Sequence, residues 1–218
     1  GCFMGEIDKA LEDFDHPGAY RYFDWDLAHG YGICQTKKSL LAHDQMALVD
    51  HFLDYYYSHI LPFVDALPKS IIHNDANDYN VLIDDVTSPT KITGIIDFGD
   101  IVHSHTINEL AITCAYALMG QKDPIKTLKH IVASYHNTKP LNDTEISVLY
   151  GLIALRLCTS VCNAAAAIKA APDNEYLLVS IKPALALLKK LKQCSPFAIE
   201  CQLRLSCGLP VEQGKSNE

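Results

Sequence analysis

His73, Asp75 and Asn80 stand in the frame His-x-Asp-x-x-x-x-Asn, and further on comes the run Ile96-Asp97-Phe98-Gly99-Asp100. An aspartate in a loop that follows a strand can accept the proton of an attacking hydroxyl. Asn80 offers a neutral oxygen to a cation, and Asp97 offers a full carboxylate from the second loop. Oxygen ligands without thiolate suit Mg²⁺ or Mn²⁺ better than zinc. Asp75 and Asp97, joined by Asp78 and Asp100, would crowd like charges together, which calls for a divalent ion between them. Such an inventory suits the transfer of a phosphoryl group from a metal-bound nucleotide. His-x-Asp and Asp-Phe-Gly are each weak signals. The ordered pattern of strand, His-x-Asp loop, two strands, Asp-Phe-Gly-Asp and helix is specific.

Those loops need a frame. Residues 70–73 and 80–84 are short runs rich in β-branched side chains, Pro89 and Thr90 mark a turn, and residues 91–96 make another strand. They predict one small β-ribbon, too short to be an independent sheet. Helix surrounds it. Residues 8–14 read as a short amphipathic segment ended by His16, Pro17 and Gly18. Residues 42–67 read as a long helix burying Met46, Leu48, Val49, Phe52, Leu53, Tyr56, Ile60 and Phe63 on one face. From about Thr106, Ile107, Leu110, Ala111, Cys114 and Leu118 share a face, with Gly120 as a stop. Residues 142–145 resemble a capping box that opens a helix through Ala170. Residues 171–174 break it, and Ser180 with Pro183 would open another helix through Lys192. The last dozen residues read as polar and frayed. The expected fold is α+β and mostly α-helical, a single domain over residues 1–218. Helix fills 1–69 and 105–208, and the two loops ride on the ribbon at 70–100.

Composition narrows the possibilities. Hydrophobic residues make up 49% of the 218 and charged residues 20%, ordinary values for a globular domain. A net charge of −8 argues against nucleic acid as a partner and would mildly attract a cationic substrate. No apolar run approaches the roughly 20 residues needed to span a bilayer, so no membrane is expected. The start, Gly1 to Glu6, lacks the basic flank and apolar stretch of a signal peptide. With Met only at position 4, it looks like a cut within a longer protein. Eight cysteines without any Cys-x-x-Cys pair read as reduced, structural thiols, and hence as a cytoplasmic protein.

On the substrate side, Asp24 and Asp26 flank Trp25 and could hold an ammonium group by charge and cation–π contact. The plainer alternative is a half-buried aromatic with solvated neighbours. Arg156 lies in an apolar helical run and needs an anionic partner: an internal acid such as Glu109, which is favoured, or a substrate carboxylate. Asp78 is a further candidate for substrate contact. His103 and His105 could ligate metal, although a loop entering a helix is also a routine place for solvated histidine.

The two loops resemble those of the aminoglycoside phosphotransferase and choline kinase-like small-molecule kinases, relatives of the protein kinases. Residues 73–80 look like the catalytic loop of that family, and residues 96–100 like its metal-binding segment. The resemblance implies Asp75 as catalytic base, Asn80 and Asp97 as magnesium ligands, His73 as a brace for the loop, and Leu82 and Ile96 as the floor beneath the adenine of ATP. Residues 21–27, 156–161 and 173–176 are similar to the hydroxylysine kinase-like branch, some of whose relatives are fused to a pyridoxal-phosphate aminotransferase. Such kinases also carry an N-terminal lobe with a β-sheet and a lysine that pairs with the phosphates. Nothing before residue 70 reads as that sheet. The resemblance therefore implies an isolated C-terminal lobe lacking half of the nucleotide clamp.

The expected activity is ATP-dependent phosphorylation of a hydroxyl on a small cationic or zwitterionic molecule, an amino alcohol or hydroxy amino acid of the hydroxylysine, homoserine, choline or aminoglycoside type. By itself the isolated lobe is expected to be inactive. One alternative is a metal-dependent hydrolase using His73, Asp75, Asp97 and His103. Another is a non-catalytic kinase-like module that communicates with a fused enzyme.

Overall fold

A computed structural model describes residues 1–170 and 176–211. Within them the elements run α1 (Cys2–Ala10), α2 (Gly30–Lys37), α3 (His43–His59), β1 (Lys69–Ile72), β2 (Val81–Ile83), β3 (Ile92–Ile95) and β4 (Val102–His105), followed by α4 (Ile107–Leu118), α5 (Pro124–Thr138), α6 (Asp143–Ala170), α7 (Tyr176–Lys192) and α8 (Pro196–Ser206). The protein is mostly helical with a small antiparallel component.

The capping box predicted at residues 142–145 opens α6. The Asn142 N–H donates to Glu145 Oε2 at 2.8 Å, and the Glu145 N–H to Asn142 Oδ1 at 2.9 Å. Beyond this cap α6 is apolar on nearly every side, so burial must surround it. Val148, Leu149, Leu152, Ile153, Leu155, Cys158 and Val161 are all buried, and α2, α3, α4, α7 and α8 pack around the helix. Each fully buried Leu or Val contributes about 1.5–3 kcal/mol. At 28 residues α6 does have the length and apolar character of a membrane span, contrary to the expectation from the sequence, but 72% of its apolar stretch is buried inside the protein. It is the core helix. Gly151 permits its closest approach, since a Cβ there would lie 2.5 Å from Ile60 Cγ1.

The strands differ from the single predicted ribbon. β1 pairs antiparallel with β4, Lys69 opposite His105 and Ile72 opposite Val102. β2 pairs antiparallel with β3, Val81 opposite Ile95, with an irregularity at Leu82 and Ile83. The sequence predicts loop where β4 lies, because Val-His-Ser-His has little β character of its own. Its strand form comes from pairing with the distant β1.

Other boundaries move for local reasons. The first helix spans Cys2–Ala10 rather than 8–14 and turns Met4, Gly5 and Asp8 inward. α3 stops at His59, followed by a 3₁₀ helix over Leu61–Ala66 that contains Pro62, and this leaves Phe63 exposed. α5 and α8 have no counterpart among the individually predicted helices, although Asp123-Pro124 and Ser195-Pro196 are good start signals. Asp123 Oδ1 accepts from Lys126 N at 3.0 Å, and Ser195 Oγ from Ala198 N at 3.3 Å. Pro183 lies inside α7, which already begins at Tyr176, instead of opening a helix capped at Ser180. The expected break at 171–174, part of the resembling stretch 173–176, and residues 212–218 of the expected frayed end lie outside the described residues.

Candidate active site

β1 ends at Ile72 against the core, and the chain then enters Asn74 with left-handed backbone, φ 68°. Asp97 has the same conformation, φ 64°. Among the described residues these are the two non-glycine positions with positive φ, one at each loop of interest. Asparagine and aspartate tolerate this conformation better than other side chains, and such strain gathers at functional sites.

His73 is fully buried and ties both loops together. Its Nδ1 accepts the Asp75 N–H at 3.3 Å, which leaves Nε2–H to donate to the Ile96 carbonyl at 3.0 Å. The Phe98 ring meets the imidazole edge-on, with ring centres 4.7 Å apart. Burial pushes its pKa down, so the ring is held neutral. Ile96 closes the link from its other side, its N–H donating to the Asn80 carbonyl at 2.9 Å. Both ring nitrogens of His73 are thus engaged across the two loops, and neither is left for a metal.

Asp75 is engaged unequally on its two oxygens. Oδ2 accepts from Asn77 Nδ2 and from Asn80 Nδ2, each at 2.9 Å. Oδ1 has an ion-pair contact at 3.6 Å with Arg156 Nη2. Asn77 both forms the turn, its Oδ1 accepting the N–H groups of Tyr79 and Asn80 at 2.8 and 3.2 Å, and fixes the carboxylate. Below the loop, Glu109 of α4 accepts the Asn74 N–H at 2.9 Å. Complete burial pushes the pKa of Glu109 up to about 7, against the opposing effects of the loop N–H groups and Arg156.

Arg156 has an internal acid in ion-pair contact, Asp75, while Glu109, whose carboxylate is held by the loop backbone, also feels its charge. The ammonium cage proposed around Trp25 is also redrawn. Asp24 is exposed and bonded to Lys37 Nζ at 2.9 Å. Asp26 is buried and takes Ser104 Oγ at 2.6 Å and the Ala28 N–H at 3.0 Å. The cation over the Trp25 ring is Arg156 itself, at 5.1 Å. Asp78 is exposed in the turn after Asp75.

Asn80 and Asp97 fit a hard divalent cation. The Asn80 amide nitrogen is engaged by Asp75, through its backbone carbonyl and Oδ2, which leaves the amide oxygen as the available ligand atom. The Asp97 carboxylate is exposed and accepts the Gly99 N–H at 3.3 Å. Among the described residues no three His, Cys, Asp or Glu side chains gather as a metal cage. Two oxygen ligands suit Mg²⁺, which retains waters and phosphate oxygens, better than zinc. Asp100, at the end of the second loop, has its pKa raised by burial and then by the charges of Asp75 and Asp97. The four-residue set expected of a hydrolase is not assembled: His103 stacks on Tyr20 at 4.5 Å and lines a separate cavity with His29 and His105. Leu82 and Ile96, expected under the adenine, are 42% and 47% exposed on the face of the β2–β3 ribbon.

The fold is of the kinase-like kind. A match to APH, the phosphotransferase enzyme family, covers residues 3–144, and the chain belongs to that family. Among curated proteins it is 28% identical over 212 residues to the hydroxylysine kinase of Xenopus laevis, covering 92% of this chain and 57% of that protein. It is 27% identical to the hydroxylysine kinase of Mus musculus, with 92% and 56% covered. The chain thus spans a little over half the length of these relatives. Its fold is that of a microcompartment-associated aminopropanol kinase (TM-score 0.63, 17% identity, 88% of this chain and 60% of the other). It is likewise that of aminoglycoside 2'-phosphotransferase-IIIa in its GDP complex (TM-score 0.59, 17% identity, 87% and 60%).

Proposed function

We propose that this chain is the C-terminal, catalytic lobe of an ATP-dependent phosphotransferase that phosphorylates the hydroxyl of a small amino alcohol or hydroxy amino acid. The observation that carries this reading is the state of Asp75. Two amides hold one carboxylate oxygen, leaving Oδ1 without a hydrogen bond from the described residues and able to take the proton of an attacking hydroxyl. Asn77, Asn80 and His73 keep the base in place, which removes orientation from the barrier. Asn80 and Asp97 would hold Mg²⁺ or Mn²⁺. Bound there, the ion would neutralise charge on the transferring phosphate. The exposed apolar face at Leu82 and Ile96 would receive the adenine of ATP, with the remaining contacts supplied by an N-terminal lobe. The names of the curated relatives, and of the aminopropanol kinase whose fold it shares, favour a substrate carrying both an amine and a hydroxyl. Net charge suits such a cationic or zwitterionic molecule. Eight free cysteines suit a reducing compartment such as the cytoplasm.

The test is Asp75→Ala in the complete polypeptide, assayed with ATP against hydroxylysine, homoserine, aminopropanol, choline and an aminoglycoside. Phosphorylation should fall by about 10³-fold or more, while nucleotide binding followed by calorimetry stays within about threefold. Undiminished turnover would remove Asp75 from the role of base. If no acceptor is phosphorylated by the wild type, the non-catalytic alternative gains instead.

A further inference from the structure

Arg156 reaches the catalytic loop from α6 and is only 1% exposed. Two rings clamp its guanidinium, whose carbon lies 5.1 Å from the centre of Trp25 and 5.5 Å from that of Tyr116. Nη1 donates to the Trp25 carbonyl at 3.0 Å and Nη2 to the Tyr116 hydroxyl at 3.2 Å. These contacts set both the plane and the position of a permanent positive charge. Nη2 then stands 3.6 Å from Asp75 Oδ1, too far for a hydrogen bond but close for an ion pair.

We infer that Arg156 is the positioning residue for Asp75, acting through charge to hold Oδ1 as the proton-accepting oxygen without touching the substrate. This deepens the proposed function and rests on Asp75 being the base. Two geometric facts support it. A guanidinium buried to this degree, with a protein hydrogen bond on each Nη and its Nε also sealed from water, is shielded from the carboxylate of a substrate. An arginine fork bonded directly to Asp75 would occupy the oxygen that the incoming hydroxyl needs. The 3.6 Å separation keeps the attraction and leaves that oxygen free of a hydrogen bond from the arginine. Glu109, a buried acid nearby, feels the charge of Arg156 but accepts its hydrogen bond from the Asn74 N–H; the ion-pair contact of Arg156 is with Asp75. Tyr116 and Trp25 become functional through Arg156, as the groups that fix its place.

The experiment compares Arg156→Gln, Arg156→Lys and Tyr116→Phe in the complete polypeptide. Steady-state constants are measured for ATP, for hydroxylysine and for aminopropanol, which lacks a carboxylate. Arg156→Gln should lower kcat about 100-fold for both acceptors, with each KM within about threefold. Arg156→Lys should recover about tenfold of that loss, because it restores the charge without the fork. Tyr116→Phe, which removes one hydrogen-bond acceptor, should lower kcat about threefold. A rise in KM confined to hydroxylysine would make Arg156 a substrate ligand and overturn the inference. Unchanged kcat in a folded Arg156→Gln variant would overturn it too. Should Arg156→Gln fail to fold, Tyr116→Phe decides, and an unchanged kcat there refutes the role. Failure of Asp75 as base is read separately, from Asp75→Ala.

Discussion

The loop after β1 rests on the helical core, whereas the β2–β3 ribbon and the loop that leads out of it stand at the surface. Ser70, Ile71, Ile72, His73 and Asn74 are all buried, and α4 and α6 contribute Glu109 and Arg156 to the loop that follows. Leu82, Ile83, Ile92, Ile96 and Phe98 of the second region are each 39–47% exposed, and Val86 is 87% exposed. One half of the proposed site is thus fixed by packing against helices, and the other is fastened at Ile96, which His73 and Asn80 grip from two sides, and at Gly99 and Ile101, whose carbonyls accept from Arg21. The division suits the proposed reaction. A base must hold one position to within a fraction of an ångström, while a surface that receives nucleotide and metal has to stay open.

The difference can be broken at His73, which serves both regions. His73→Ala removes two ring hydrogen bonds and the edge-on contact with Phe98. Turnover of the complete polypeptide should fall about 100-fold, and stability in urea by about 2 kcal/mol. Full activity in that variant would show that the two loops do not depend on their shared brace.

A medium effect is expected beneath the buried loop. The pKa of Glu109 is about 7 in the folded protein, against 4.5 for a glutamate in water, so the folded form binds its proton more tightly than the unfolded form. Its contribution to stability is therefore fully present below pH 4.5 and is lost as pH rises through about 7. Asp8 follows the same sign, its pKa raised chiefly by burial, and it accepts a hydrogen bond from Tyr135. Glu109→Gln keeps an acceptor for the Asn74 N–H and removes the titration. Denaturation curves at about pH 5 and pH 8 should differ less in the variant than in the wild type. An identical pH dependence would mean that Glu109 is not the group that titrates.

The smallest effect belongs to the surface ribbon. Val86→Ser should change stability by less than about 0.5 kcal/mol, because the side chain already lies in water. A loss of about 2 kcal/mol or more would show that the ribbon is packed after all, and the comparison of the two regions would fail.

Features whose causes lie close together in the chain are legible without the fold. The His-x-Asp-x4-Asn spacing places its groups on one tight loop, where Asx side chains bond to nearby N–H groups. The capping box at Asn142 and Glu145 closes over a single turn. The faces of α3 and α4 follow from helical period alone, and most of the predicted face residues are buried. Where local signals conflict with packing, the structure departs from the sequence reading: α1 lies nearer the N-terminus, and Pro183 sits within α7.

By itself the sequence determined which residues are proposed as base and cation ligands, because their types and short spacing are chemical facts of the chain. Only the tertiary structure decided that β1 pairs with β4, that Glu109 lies under Asn74, and that Arg156 faces Asp75 between Trp25 and Tyr116. These contacts join residues far apart in the chain, and no periodicity records which buried charge will meet which. Burial makes the choice: a guanidinium and a carboxylate removed from water must find partners, and the packing of α4 and α6 beneath the loop settles which ones they find.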